Sequence, residues 1–324
     1  MRILVVGAAG MLGRKLTQRL VQDGVLAGEP VSALTLVDLV REEGPGGEIL
    51  AADVAEPGVT EELVASRPDI VFHLGAVVSG EAEAEFEKGY RVNLDGTRSL
   101  LDAVRRDPAY RPRLVFASSI AVFGGPFPEA IDDDYCTAPL TSYGTQKAMA
   151  ELLLSDYTRH GFLDGVGIRL PTICVRPGKA NLAASGFFSN IIREPLNGEE
   201  AVLPVPEQTR HWFASPRAAV DFLLLAATLE SSKLGDRRSL TMPGVSATVA
   251  EQIEALRRVA GDDVVARIRR EPDETITRIV ANWPQQFHSE RALDLGFRAE
   301  ADFEEIIRIH VEDELGGRIG GAAS

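Results

Sequence analysis

Through the first half of the chain, short β-branched and aliphatic runs alternate with stretches whose apolar positions recur at helical spacing. Residues 3–6 read as a strand, followed by a glycine turn and a helix over about 11–22. Further strands are predicted at 34–37 (ending on Asp38), 49–52 (ending on Asp53), 70–74, 113–117 and 166–170. Helical patterns fall between them at 61–66, over 81–106 as one long helix or two, and over 143–157. Strands separated by helix-length segments pair in parallel through crossover connections, which puts helices on both faces of the sheet. The predicted class is therefore α/β, a doubly wound parallel sheet.

After Pro171 the pattern changes. Residues 171–215 are rich in Pro, Gly and Asn, with one helical stretch near 187–194. A helix over 216–230, a strand at 239–242, a helix over 249–260, a strand at 275–280 and a closing helix over 301–315 follow. Residues 1–170 are expected to form the first domain, with 211–240 and about 275–285 returning to it. Residues 171–210, 241–274 and 286–316 form a smaller α+β domain suited to covering a ligand cleft. Residues 317–324 read as a flexible tail.

Composition acts mainly by exclusion. The 324 residues, 45% hydrophobic and 25% charged, suffice for a sizeable core. The charge of 34 basic minus 48 acidic residues is -14, which argues against nucleic acid or an anionic membrane as partner. An anionic ligand must then be held by local groups. Cys136, Cys174 and five scattered histidines supply neither a disulfide framework nor a zinc spacing, so no metal is predicted and a reducing cytoplasm is expected. No apolar run approaches the ~20 residues that span a bilayer.

Gly7-Ala8-Ala9-Gly10-Met11-Leu12-Gly13 lies between the first strand and the first helix. In a Rossmann-type unit the first glycine permits the turn and the second admits a pyrophosphate. The third lets the helix pack closely on the strand. Asp38, ending the second strand, is placed to accept bonds from the adenosine ribose and to repel a 2'-phosphate, favouring NAD over NADP; Arg41 is the one hint against this. Asp53 repeats the strand-end pattern and could meet the adenine amino group. The ordinary alternative for each is a solvated strand-end carboxylate.

Tyr143 and Lys147 stand one turn apart on a predicted helix, hence on one face. Bringing a phenol from its reference pKa of about 10 to about 7 takes roughly 4 kcal/mol. One ammonium at ~4 Å and an effective dielectric of about 20 supplies that much. Ser119, at the end of a sheet strand, could align a substrate hydroxyl. The loop glycines, both acids, Ser119 and the start of the Tyr143 helix all map to the carboxyl edge of the sheet, where ligands bind.

These motifs resemble the extended short-chain dehydrogenase/reductases, the NAD-dependent epimerase/dehydratase family, over nearly the whole chain. The family's glycine pattern falls on Gly7, Gly10 and Gly13, and its acids on Asp38 and on Asp53-Val54. The segment after its fourth strand is His73-Leu74-Gly75-Ala76-Val77, with Gly75 where alanine is usual. Its V-N-x-x-G-T pattern puts the family's structural asparagine on Asn93, and Y-x-x-x-K falls on Tyr143 and Lys147. The family serine, five before the glycine of Ser118-Ser119-Ile120-Ala121-Val122-Phe123-Gly124, is Ser119 rather than Ser118.

The resemblance implies catalytic roles for Ser119, Tyr143 and Lys147. It also implies that Met11, Leu12, Val54, Leu74, Gly75, Ala76, Asn93, Ser118, Pro171 and Ile173 join the loop glycines, Asp38, Asp53, Tyr143 and Lys147 around NAD. A homodimer through the helices near 81–106 and 143–157 is implied as well.

The R-x-x-N-V-Y-G-P run of most sugar-nucleotide members is absent: residues 169–179 read Arg-Leu-Pro-Thr-Ile-Cys-Val-Arg-Pro-Gly-Lys. That departure weakens a nucleoside-diphosphate ligand. Residues 76–83, 119–126, 141–147, 170–179 and 192–200 instead resemble a branch that oxidises a four-carbon sugar acid at C2 with NAD. The acid's carboxylate then needs a cation. Arg176 is the first candidate, with Arg210 and Arg217 as alternatives and Lys179 assisting. Ser79 and Asn181, with Ser119 and Tyr143, are candidates for the substrate hydroxyls. His211 beside Trp212 reads as cleft wall and His73 as core. A nucleoside-diphosphate-sugar epimerase or dehydratase, and a non-catalytic dinucleotide-binding redox sensor, are the competing expectations.

Overall fold

The computed structural model describes residues 1–178 and 185–319. Its main sheet contains β1 (Arg2–Val6), β2 (Ala33–Asp38), β3 (Glu42–Gly44), β4 (Gly47–Ala51), β5 (Ile70–His73), β6 (Arg113–Ser119), β7 (Asp164–Leu170) and β8 (Ser239–Thr241). The spatial order is β8-β7-β6-β5-β1-β2-β4-β3. Every pairing is parallel except β3 on β4, an edge hairpin. From β1 the chain winds outward through β2 to β4, then crosses back to β5 on the other side. That reversal opens a crevice at the carboxyl end of β1.

Alternation along the strands separates two cores. Ile3 and Val5 of β1 face one way with Leu16 and Leu20 of α1 (Met11–Asp23). Leu4 and Val6 face the other way with Leu100 and Leu101 of α2 (Gly96–Arg105) and Leu154 of α3 (Ser142–Arg159). Both faces are thus covered, which is why these strands read as continuous apolar runs.

The second unit holds α4 (Gly186–Leu196), a three-stranded sheet of Thr172–Ile173, Arg210–Ala214 and Val245–Thr248, and the parallel pair Ala201–Leu203 with Ile268–Arg270. Its own core joins Val175, Phe188, Ile192, Phe213, Ile253 and Ile306. Helix α5 (Pro216–Thr228) and the segment carrying Ala292 and Phe297 pack into the first core. No helix among the described residues is long and apolar enough to cross a membrane.

Two expectations are corrected. Residues 275–280 form a helix, Glu274–Val280, not a strand returning to the first domain. The Asp273 carboxylate caps the Thr275 and Ile276 amides at 2.7 and 3.0 Å. Ile276, Val280 and Trp283 pack against the second core. Capping and burial here override the β propensity of Thr, Ile and Val. The long pattern over 81–106 is broken into Ser79–Ala84, Phe86–Gly89, a π-helical turn Tyr90–Asp95 and α2.

Candidate active site

The glycine turn is built by close backbone approach. Gly7 has a φ of 89°, and a Cβ on it would lie 2.5 Å from the Gly75 nitrogen. A Cβ on Gly13 would lie 2.1 Å from the Gly7 carbonyl oxygen. The Gly7 and Ala8 amides both donate to the Val37 carbonyl, at 2.8 and 3.0 Å. Gly10 caps α1 with no side-chain partner for the first-turn amides, which is the arrangement that receives a pyrophosphate. At Gly75, where the family has alanine, a Cβ would come no nearer than 3.3 Å to the Val6 side chain and 3.6 Å to the Gly7 backbone, so the departure is mild. Overpacking at position 13 costs about 1–3 kcal/mol. Gly13→Ala is therefore expected to lower Tm and to weaken NADH binding about tenfold or more, checked by fluorescence titration.

Asp38 sits beside this turn. One of its oxygens accepts the Ala9 amide at 2.9 Å and the other the Leu39 amide at 2.7 Å. A carboxylate has about four acceptor sites, so capacity remains for ribose hydroxyls. Arg41 is tied to Glu48 at 2.5 Å, and Arg14 is paired with Glu42. Both cations near the ribose end are thus neutralised, in keeping with NAD. Asp53 spends one oxygen on Arg91 at 2.7 Å and the other on the Ala55 amide at 2.9 Å, while the Val54 side chain is buried in the core.

Two residues expected at the cofactor turn inward. The Asn93 amide accepts from the Val77 N–H (2.7 Å) and donates to the Val77 carbonyl (3.0 Å) and Gln146 (2.8 Å). Both of its N–H groups are used, so its side chain fastens the β5 loop to α3. The Ser118 hydroxyl donates to buried Glu151 at 2.5 Å. Leu74 and Ala76 are half-buried in the loop after β5, and Pro171 and Ile173 are buried beyond β7.

The Ser119 oxygen accepts the Ala121 amide at 3.1 Å at the end of β6. Thr141 caps α3 through the Gly144 amide at 3.1 Å, which sets Tyr143 and Lys147 in the first turns of that helix. A Cβ on Gly144 would stand 2.1 Å from the Ala121 oxygen. Sequence reasoning missed this glycine, though it adjoins Tyr143, and it is what lets the helix press against the serine loop. The Lys147 ammonium donates to the Ala117 carbonyl at 2.8 Å and lies 4.6 Å from the Phe116 ring centroid and 5.8 Å from that of Tyr143.

The electrostatics differ from the sequence expectation. Burial pushes the Tyr143 phenol above its ordinary value, against Arg176 and Ser119, which pull it down. Burial also brings Lys147 down to about 7, opposed by Glu151. Arg176 is thus a second cation that bears on Tyr143, while the Lys147 charge is itself desolvated and its ammonium donates to a carbonyl.

Arg176 follows the strand Thr172–Ile173. Its Nε donates to the Ile173 carbonyl at 3.0 Å and its Nη2 to Ser185 at 3.3 Å. Its backbone is clamped by α4, through the Ser189 hydroxyl on its N–H (3.0 Å) and Arg193 on its carbonyl (2.8 Å). The alternatives are engaged elsewhere: Arg210 pairs with Glu251, and Arg217 with Glu312 and Asp313. Lys179 and Asn181 lie outside the described residues, and Ser79 opens the short helix Ser79–Ala84.

His211 donates from Nδ1 to the Pro284 carbonyl (2.9 Å), accepts from Thr172 at Nε2 (2.7 Å) and is held neutral by burial, at about 4. His73 is held at about 3 by burial and meets Thr97 at 2.8 Å. Both are packed structural imidazoles.

A family model described as the NAD dependent epimerase/dehydratase family matches residues 3–234. A D-erythronate dehydrogenase from Cupriavidus necator is 48% identical over 320 residues, 97% of this chain and 98% of its own. One from Haemophilus influenzae is 39% identical over 319 residues, 97% of this chain and 100% of its own. The crystal structure of a protein named nucleoside-diphosphate-sugar epimerase, from Agrobacterium tumefaciens, has a TM-score of 0.95 at 62% identity, covering 98% of this chain and 95% of that one. An L-threonine dehydrogenase from Clostridium difficile has a TM-score of 0.86 at 23% identity, covering 98% and 99%, a likeness of fold alone. The cradle that only glycine permits lies within the span that the family model matches, and the chain belongs to the NAD dependent epimerase/dehydratase family, as an NAD-dependent oxidoreductase.

Proposed function

We propose that this chain oxidises a small sugar acid, D-erythronate, at C2 to 2-dehydro-D-erythronate. The observation that carries the substrate class is Arg176. In a chain of net charge -14, its guanidinium is desolvated and pairs with no carboxylate among the described residues, while its charge acts on the Tyr143 phenol. A bidentate guanidinium suits a carboxylate placed beside the reacting carbon. The D-erythronate dehydrogenases matched over their full length support the same substrate.

The glycine cradle, Asp38 and Lys147 would hold NAD, which accepts a hydride when bound. Ser119 holds the C2 hydroxyl in line, and Tyr143, as phenolate, takes its proton while the C2 hydrogen leaves as hydride. The products are a ketone, NADH and a proton held at Tyr143. Lys147 favours the phenolate only while it keeps its own proton, so the two groups titrate as a coupled pair. The apolar residues Phe86, Met149 and Leu152, 53%, 40% and 68% exposed on the segments expected to pair two copies, support a homodimer.

A sugar-nucleotide epimerase is the second reading, favoured by the name of the Agrobacterium protein. Against it stands the segment 169–178, which lacks the family's asparagine and tyrosine. The expected result is NADH formation from D-erythronate and NAD, little with NADP, and no 4-epimer from UDP-glucose. Epimer formation without NADH release from any sugar acid would reject the proposal. Binding of NAD with no turnover of either class would favour the redox-sensor expectation instead.

A further inference from the structure

Below the catalytic edge lies a carboxylate that the reaction as written leaves unused. Glu151 stands one helical turn after Lys147 on α3 and is 4% exposed. Its Oε1 accepts the Ser118 hydroxyl at 2.5 Å. Arg169 grips it from β7, with Nε 3.0 and 3.1 Å from the two oxygens and Nη2 2.8 Å from Oε2. Ser118 and Arg169 are register partners across β6 and β7, so two strands and one helix converge on a single buried charge. Ser118 is also the immediate neighbour of Ser119, and the Ala117 carbonyl that receives the Lys147 ammonium precedes it.

A buried ion pair is weak evidence for stability, since well-packed apolar residues commonly do as well. Its position suggests another use. We infer that Glu151 is a positioning residue for the reaction: fixed by Arg169, it pins the strand end that carries Ser119 and sets a negative charge one turn below the Lys147 ammonium. The inference rests on the proposed roles of Ser119, Tyr143 and Lys147.

The surroundings of Lys147 agree. Burial is the dominant influence on its ammonium and Glu151 the one that opposes it. Tyr143 lies on the same helix, His73 faces it from β5 as a neutral ring, and Arg169 of β7 pairs with Glu151. Removing the Glu151 charge therefore leaves Lys147 with its desolvation uncompensated, and it loses its proton at lower pH. Activity that needs the ammonium then fails earlier as pH rises.

The test is Glu151→Gln, with Glu151→Gln/Arg169→Gln as a companion that leaves no guanidinium unpaired should the single variant not fold. Two quantities are read. One is the Lys147 titration in the cofactor-free protein, by NMR of 13Cε-labelled lysine assigned with Lys147→Met. The other is the pH profile of kcat.

Both midpoints are expected to move down by about one pH unit, which is about a tenfold loss of turnover above the basic limb. KM for the sugar acid should hold. Ser118→Ala, which keeps the charge, should lower kcat without moving the titration. A folded variant whose Lys147 titration and kcat profile both superimpose on the wild type overturns the inference. Tyr143→Phe separates the two levels: if it keeps full turnover the proposed chemistry falls, and if it is inactive while Glu151→Gln changes nothing, only the role of Glu151 falls.

Discussion

Tyr143→Phe is expected to reduce kcat for the sugar acid by about 10²–10⁴-fold, the range for losing a positioned general base, while NADH still binds. The change removes one oxygen from a half-buried ring whose helix is held independently, by the Thr141 cap and by the fit of Gly144 against Ala121. Circular dichroism and Tm should therefore stay near the wild type. The residual rate should also lose its rise with pH, because burial holds the Tyr143 phenol above its ordinary value and the wild-type rate climbs as that phenol ionises. Turnover at the wild-type level in Tyr143→Phe, measured as NADH formed, would remove the proton acceptor from the scheme.

Arg176→Gln should produce the second-largest effect, and two separate ones. Hydrogen bonds to charged groups contribute about 1.5–3 kcal/mol, so KM for the sugar acid is expected to rise about 10- to 150-fold. KM for NAD should stay put. The Tyr143 phenol also loses the cation that chiefly offsets its burial, so it ionises at higher pH and the acid limb of kcat moves up. Arg176→Lys should restore part of the limb but little of the KM, because an ammonium supplies the charge without the planar fork. Steady-state kinetics across pH checks both effects. An unchanged KM for the acid would mean that its carboxylate is held elsewhere.

Several features of the site were legible because they depend on local chemistry. The glycine turn is recognisable since only residues without Cβ permit approaches such as Gly13 to Gly7. Asp38 is recognisable because a strand end places it beside that turn. Asn93 and Ser118 were found as important positions, but the partners of their side chains were not legible. Whether a polar side chain faces a ligand or fastens two elements depends on partners far along the chain, here Val77 and Gln146 for Asn93 and Glu151 for Ser118. Glu151 itself went unnoticed, because an acid one turn after a lysine reads as an ordinary helix pair. Likewise, the β-branched residues at 275–280 carry no sign of the second core that receives them or of the cap that starts their helix.

By itself, then, the sequence determined the doubly wound sheet, the cradle for the dinucleotide and the pairing of Tyr143 with Lys147 on one helix face. Each follows from spacing over a few residues, where backbone geometry leaves few choices. Only the tertiary structure decided which charges act on which. It turned the Lys147 ammonium to a carbonyl above Glu151, bound Arg41 to Glu48 and Arg217 to Asp313, and brought the Arg176 charge to bear on the phenol. The reason is physical: the strength of a charge depends on its burial and on the distance to its counter-charge, and both are set by chain segments that meet only on folding.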